Sequence, residues 1–270
     1  MLHKRGSAMR CAKSVVLFLI DSLRPDALQQ AAALNINRLI SSGAYTFTGQ
    51  TVIPSKTLPC ITSLFFSVKP VGHGFMTNTW HPLKCRHPGL FDCVSQAGLH
   101  SAAFYNWENL RDLSSPGSLK ASLFLKDDKT PENDSDRGLA ALAVDYFTKH
   151  RVDFAFIYFH QTDAAGHRAG WMSEPYLKAI VNADRCIGTV MKVLSEETVL
   201  ILTSDHGGRG HTHGTDSPEE TTIPFIIRGP EIPRGHRIKQ PFKITDIAPT
   251  IASFLGIEVP AEWIGKAMTF

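Results

Sequence analysis

Carboxylates and imidazoles gather in three stretches of this sequence. Asp21 closes the apolar run Ser14–Ile20. His160-Gln-Thr-Asp163-Ala-Ala-Gly-His167 follows the apolar run Asp153–Phe159. Asp205-His206-Gly-Gly-Arg-Gly-His211-Thr-His213-Gly214 follows Thr198–Ser204. Imidazole nitrogen and carboxylate oxygen are ligands for zinc and other first-row divalent metals. The candidates Asp21, Asp163, His167, Asp205, His206, His211 and His213 outnumber the positions of a single tetrahedral site, so two metals are the economical reading. Two metals about 4 Å apart stabilise the attacking and leaving oxygens of an in-line displacement at phosphorus. A nucleophile is available in Pro54-Ser55-Lys56-Thr57-Leu58-Pro59-Cys60, just before an apolar helix. Thr57 stands at the expected N-cap, where helix amides favour an anion, and a metal-bound hydroxyl loses its proton more readily than a free one.

Each feature has a plainer explanation when taken alone. An aspartate at a strand end is usually solvated or a cap. A threonine ahead of a helix is usually a simple N-cap, and Asp-x-x-x-His is a weak pattern. Their coincidence at one predicted sheet edge shifts the balance toward chemistry. The other histidines (His3, His73, His81, His87, His100, His150, His160 and His236) are read as surface or packing residues.

For these segments to meet, strand ends must share one edge. Short apolar runs alternate with helix-like segments, which predicts a mostly parallel sheet covered on both faces. Strands are expected at Ser14–Ile20, Ser101–Tyr105, Asp153–Phe159, Thr198–Ser204 and Ile223–Arg228. Helices are expected at Asn35–Ser42, Thr57–Ser67, Pro88–Ala97, Asp134–His150, Ser173–Leu194 and Asp246–Leu255. Ligands in such sheets bind beyond the carboxyl ends of the strands, where the Asp and His residues fall. Trp107–Pro131, rich in Ser, Asp, Lys and Leu, reads as a lid or surface excursion. The 270 residues are expected to form one catalytic domain, with residues 1–13 peripheral or disordered.

Composition narrows the class. With 43% hydrophobic and 20% charged residues the chain is globular, not disordered, collagenous or coiled-coil. A net charge of +3 is too weak to argue for a nucleic-acid polymer or an anionic membrane as partner. Five cysteines without a C-x-x-C pair suggest neither a disulfide framework nor a cysteine zinc site. Lys4, Arg5, Arg10 and Lys13 precede an apolar run too short for a signal peptide, and no stretch approaches a membrane span. The expectation is a cytoplasmic protein acting on a small molecule, of unspecified oligomeric state.

The motifs taken together resemble the alkaline phosphatase superfamily, within it the type I phosphodiesterase/nucleotide pyrophosphatase branch. The likeness runs from about Val15 to Gly265. Its marks are Val-Leu-Phe-Leu-Ile-Asp21-Ser-Leu-Arg-Pro-Asp26, Pro54-Ser-Lys-Thr57-Leu-Pro59, Gly72-His73-Gly74, Thr162-Asp163-Ala-Ala-Gly-His167, Ser204-Asp205-His206-Gly207-Gly208, His213-Gly214 and Thr245-Asp246-Ile-Ala-Pro-Thr250. The resemblance implies an alkaline phosphatase-like three-layer sandwich. It implies one metal held by Asp21, Thr57, Asp205 and His206, and a second held by Asp163, His167 and His213. His213 is preferred over His211 because it precedes glycine, as the family's ligand does. The metals would be zinc, or manganese as in some branches. Thr57 would attack phosphorus of a small phosphate ester such as a nucleotide and form a covalent phosphothreonine-type intermediate.

The sequence also departs from that pattern. Many relatives carry asparagine three residues after the nucleophile, where this chain has Cys60, a poor donor. Cys60 thus lies at an expected substrate-binding position. Trp107 and Arg111, after the strand ending at Tyr105, and Trp171, after His167, are further candidates for binding a base, sugar or phosphate. Sulfatases share the fold, but Cys60-Ile-Thr-Ser-Leu64 lacks their C/S-x-P-x-R motif. Cofactor-independent phosphoglycerate mutase is also related, but needs a large second domain that is not expected here. Alternatives are a phosphomonoesterase or phosphonate hydrolase on the same metals and, from another class, a non-catalytic metal-binding module.

Overall fold

The computed structural model describes residues 14–126 and 134–270. The expected peripheral segment 1–13 and residues 127–131 of the expected excursion lie outside the described residues. The strands are β1 (Ser14–Ile20), β2 (Ala44–Gln50), β3 (Ser101–Tyr105), β4 (Ala121–Phe124), β5 (Phe154–Phe159), β6 (Thr198–Thr203), β7 (Thr222–Arg228) and β8 (His236–Arg237). They form one sheet in the order β4-β3-β5-β1-β6-β7-β2-β8. Pairing is parallel except that β7 runs antiparallel to both β6 and β2.

β1 pairs on both edges, with β5 and β6, and helices cover both of its faces. This explains its unbroken apolar run, because alternate side chains enter opposite layers. Val15, Leu17 and Leu19 join one core, and Val16, Phe18 and Ile20 join the other. The first core is closed by α3 (Thr57–Phe66), α5 (Leu90–Gln96) and α10 (Ile247–Leu255) through residues such as Ile61, Phe91 and Ile251. The second is closed by α1 (Pro25–Gln30), α2 (Leu34–Ser42), α6 (Ser135–Lys149) and α8 (Glu174–Met191), through Leu28, Ile36, Leu139 and Ile187 among others. The result is the expected three-layer α/β sandwich. Three short helices complete it: α4 (Pro70–His73), α7 (Gln161–Ala169) and α9 (Pro218–Thr221).

The expected strands and helices are present, with ends displaced by at most three residues. Three strands had no expectation. β2 mixes Thr and Gly with its aromatics and breaks register between Thr46 and Gly49, which blurs its alternation. β4 is a half-exposed edge strand inside the expected excursion, and β8 is only two residues long. The segment 161–169, for which no element was expected, is helix α7. Among the described residues no helix is long and apolar enough to cross a membrane.

Candidate metal centre

The parallel register carries Asp21, His160 and Asp205 to one edge. Asp21 N donates to Phe159 O at 2.9 Å, extending the β1–β5 pairing one residue past the strand. Ser22 then turns the chain at φ 62° and donates its N–H to Asp205 Oδ1 at 3.1 Å. His206 donates Nδ1–H to Gly207 O at 2.8 Å, which leaves the Nε2 lone pair free. That Nε2 lies 3.3 Å from Asp205 Oδ2, 3.5 Å from Asp21 Oδ1 and 3.2 Å from Thr57 Oγ1. All four side chains are buried. Thr57 is the first residue of α3, not its N-cap. The cap is Lys56, without a side-chain bond, and Asn78 Oδ1 accepts from Leu58 N at 3.0 Å. The helix therefore begins one residue earlier than an N-cap at Thr57 implies, and the Thr57 hydroxyl faces His206.

A second cluster adjoins the first. α7 sets Asp163 and His167 one turn apart, on one helix face. His167 Nε2 is 3.4 Å from Asp163 Oδ2, and His213 Nε2 is 3.6 Å from Asp163 Oδ1. His167 donates Nδ1–H to His211 O at 2.9 Å, and His213 donates its Nδ1–H to Ser55 O at 2.8 Å. Each ring thus turns an unprotonated Nε2 inward, and the two nitrogens are 3.1 Å apart. Two acceptor nitrogens at that distance have no hydrogen to share; a cation between them removes the conflict. His211 sends its own Nδ1 to His167 O at 3.1 Å and stays out of the cluster. Glu220 braces the His213 loop, accepting from Gly214 N at 2.7 Å, Thr215 Oγ1 at 2.8 Å and Ser55 Oγ at 2.9 Å. Burial works against its charge, but these donors outweigh burial and hold its carboxyl below the usual range.

The donor set fits two divalent cations. Asp21 Oδ1, Asp163 Oδ1 and Asp205 Oδ2 are buried oxygens without a hydrogen-bond partner, an arrangement that costs free energy unless something positive joins them. Burial, then repulsion from Asp205 and Asp163, pushes the Asp21 carboxyl well above its ordinary range. Burial pushes Asp205 up to about 6. Burial also lowers His206, and takes His213 down to about 4, so both rings are neutral at neutral pH. Asp21, Asp205 and His206 form one compact ligand group, Asp163, His167 and His213 another; Asp21, His160 and Asp163 make a third that straddles them.

The four substrate-binding candidates are placed differently. Trp171 is buried beside the second cluster, its ring 5.1 Å from that of His167 and 6.0 Å from that of His213, with Nε1 donating to Ser22 Oγ at 3.1 Å. Cys60 is buried in α3, its thiol directed to the carbonyls of Val52 and Pro54 at 3.8 and 3.7 Å, and burial raises its pKa. Trp107 packs against the first core. Arg111 is exposed and paired with Glu108 at 3.0 Å and Asp112 at 3.6 Å. Neither Trp107 nor Arg111 has a described contact with the seven clustered residues.

Four further residues escaped the sequence reading. His160, read as surface or packing, is only 12% exposed and reaches Asp21. Tyr158 was counted simply as part of an apolar strand. Asn78 and Glu220 act through tertiary contacts with no local pattern. The one available signal was the i, i+2 spacing of Tyr158 and His160, which turns both toward the same side at a strand end.

Over 129 residues the chain is 33% identical to 2,3-bisphosphoglycerate-independent phosphoglycerate mutase of Clostridium perfringens. That match takes in 44% of this chain and 24% of the relative. The chain thus matches about a quarter of the length of such curated relatives. Murine ectonucleotide pyrophosphatase/phosphodiesterase 5, solved as an inactive threonine-to-alanine variant in complex with AMP, superposes with a TM-score of 0.75 at 16% identity. The superposition covers 92% of this chain and 96% of that one. A putative sulfatase from Bacteroides thetaiotaomicron superposes with a TM-score of 0.75 at 18% identity, covering 95% and 74%. The fold shared with these neighbours is alkaline phosphatase-like. Residues 15–215 match the type I phosphodiesterase / nucleotide pyrophosphatase family, and the chain belongs to that family.

Proposed function

We propose that this protein is a metal-dependent phosphoric ester hydrolase, a phosphodiesterase of nucleotide pyrophosphatase type with Thr57 as nucleophile. The observation that carries the reading is the position of Thr57 Oγ1. It stands at the first turn of α3, 3.2 Å from His206 Nε2, beside the partnerless oxygens of Asp21 and Asp205. The neighbour inactivated by a threonine-to-alanine change and holding AMP supports the same assignment.

Asp21, Thr57, Asp205 and His206 would hold one cation; Asp163, His167 and His213 would hold the other. Zinc is the proposed metal, with manganese as the second candidate, because imidazole and carboxylate suit both. When bound, the two cations supply positive charge that favours ionised oxygen and neutralises charge developing at phosphorus. The protein's own part is to place the nucleophile. Helix α3 holds the Thr57 hydroxyl toward the cluster, and Asn78 fixes the first turn through Leu58 N. The Thr57 Oγ–phosphorus bond forms as the bond from phosphorus to one ester oxygen breaks; the hydroxyl proton ends on the departing alcohol, and the threonine carries the phosphoryl group with its remaining ester substituent. Water then attacks phosphorus on the opposite side and Thr57 is released. Two inversions leave the configuration at phosphorus retained. The substrate would be a small phosphate ester such as a nucleotide. A reducing, cytoplasmic setting belongs to the same reading, since the described cysteines are free thiols.

A monoester-directed reading draws on the 33% identity to a mutase that handles phosphate monoesters by name. Metal analysis and paired assays on bis-p-nitrophenyl and p-nitrophenyl phosphate separate the two. About two metals per chain with chelator-sensitive diester hydrolysis is the expected result. Two metals with monoester hydrolysis alone would replace it by the second reading, and no metal after reconstitution would refute both.

A further inference from the structure

Asp21 is the carboxylate on which the two clusters converge, and its two oxygens have different surroundings. Oδ1 has no hydrogen-bond partner and lies 3.5 Å from His206 Nε2. Oδ2 accepts from the Tyr158 hydroxyl and from His160 Nδ1, the latter at 3.1 Å. Both donors come from the end of β5. The register pairs Leu19 with Tyr158 and Ile20 with Phe159, so His160 stands opposite Asp21 one step beyond. Tyr158, in β5, and His160, just past its end, turn to the same side, with the tyrosine hydroxyl and His160 Nδ1 3.2 Å apart. His160 is itself held: its N–H donates at 3.1 Å to Asp136 Oδ1, and Asn106 Nδ2 donates to that same oxygen at 2.7 Å. Asp136 and Asn106 are buried, so the loop carrying His160 is tied to α6 and to the end of β3.

We infer that Tyr158 and His160 are positioning residues for Asp21: together they hold Oδ2, so that Oδ1 faces Asp205 and His206. A carboxylate at the end of a strand can rotate about its side-chain bonds. Two donors on one oxygen fix that rotation and leave the other oxygen for a cation, as outer partners of metal ligands commonly do. Neither residue needs to touch the metal or the substrate. This inference rests on the two-cation reading proposed above.

The test uses Tyr158→Phe, His160→Ala and His160→Asn in the full chain. Each protein is loaded with zinc and dialysed against graded chelator, and metal per chain is measured. Unfolding in excess chelator is measured alongside. Tyr158→Phe and His160→Ala are expected to lose about one of the two metals at roughly 10- to 100-fold lower chelator activity than wild type, with metal-free unfolding midpoints close to wild type. His160→Asn places an amide N–H near the position of Nδ1–H and is expected to restore retention. A merely structural role would not give that rescue, and neither would direct ligation by the imidazole. Equal retention by wild type, Tyr158→Phe and His160→Ala overturns the positioning role and leaves the functional reading standing. A loss in His160→Ala that His160→Asn does not restore also overturns it. A wild-type protein that takes up no metal overturns both.

Discussion

Replacing Asp205 by asparagine should stabilise the metal-free protein while weakening metal binding. Asp205 is fully buried, with Oδ1 accepting from Ser22 N and Oδ2 without a partner. Its pKa moves from an ordinary 3.8 to about 6, chiefly through burial. Ionising it in the folded, metal-free protein therefore costs on the order of 3 kcal/mol more than in the unfolded chain at pH 7.5. The sign follows from proton counting. Between about pH 4 and pH 6 the folded state binds more protons than the unfolded state, so this group's destabilisation grows as pH rises through that window. The Asp205→Asn variant has no charge to bury. Its carbonyl can still accept from Ser22 N, and its amide would face the His206 Nε2 lone pair, 3.3 Å from the oxygen it replaces. In excess chelator at pH 7.5 the variant should be more stable by up to about 3 kcal/mol, and by less than about 1 kcal/mol at pH 4. For a chain of this size the larger figure corresponds to a rise in Tm of roughly 6 °C or more. Chemical denaturation at the two pH values measures the difference. With zinc present the order should reverse, because wild type gains binding energy that the variant lacks. A metal-free variant no more stable than wild type, or a gain that does not change with pH, would refute the account of Asp205 as a charge waiting for a cation.

Other outcomes follow from the same geometry. Thr57→Ala should lower turnover by about 10³-fold or more while both metals stay bound; near-normal rates would remove Thr57 as nucleophile. Gly208→Ala puts a Cβ 2.1 Å from the Trp171 ring. Denaturant titration should find it less stable by about 1–3 kcal/mol, and a neutral result would mean that Trp171 is not held against the second cluster. Glu220→Ala strips acceptors from Gly214, Thr215 and Ser55, and should cost about 2 kcal/mol. Metal analysis after dialysis should also show weaker retention at the cluster containing His213, and unaltered retention would show that this loop needs no brace.

Much of this candidate site could be read in the chain because several of its proposed ligands sit at strand ends. An apolar run long enough to be buried on both faces, followed at once by Asp or His, places that residue at the carboxyl edge of a parallel sheet; Asp21, Asp205 and His206 are of this kind. Asp163 and His167 were legible through their spacing, since residues four apart share a face whenever the segment is helical. The choice of His213 over His211 came from a family pattern. In the fold the two differ because His213 has Ser55 O to accept from its Nδ1, whereas the His211 ring turns back to His167 O.

What local sequence could not carry was decided by contacts between distant segments. The edge strand β4 and the irregular β2 lack a clear apolar period, so only pairing with β3 and β7 defines them. Thr57 lies at the first turn rather than at the cap, and Asn78, twenty residues beyond Leu58, accepts from the Leu58 amide. His160 looks like any surface histidine until the β1–β5 register sets it against Asp21. Residue types and spacing by themselves determined which chemistry was available and which edge would host it. Tertiary structure alone decided which lone pairs face inward, because that depends on what each second ring nitrogen or second carboxylate oxygen finds across the sheet.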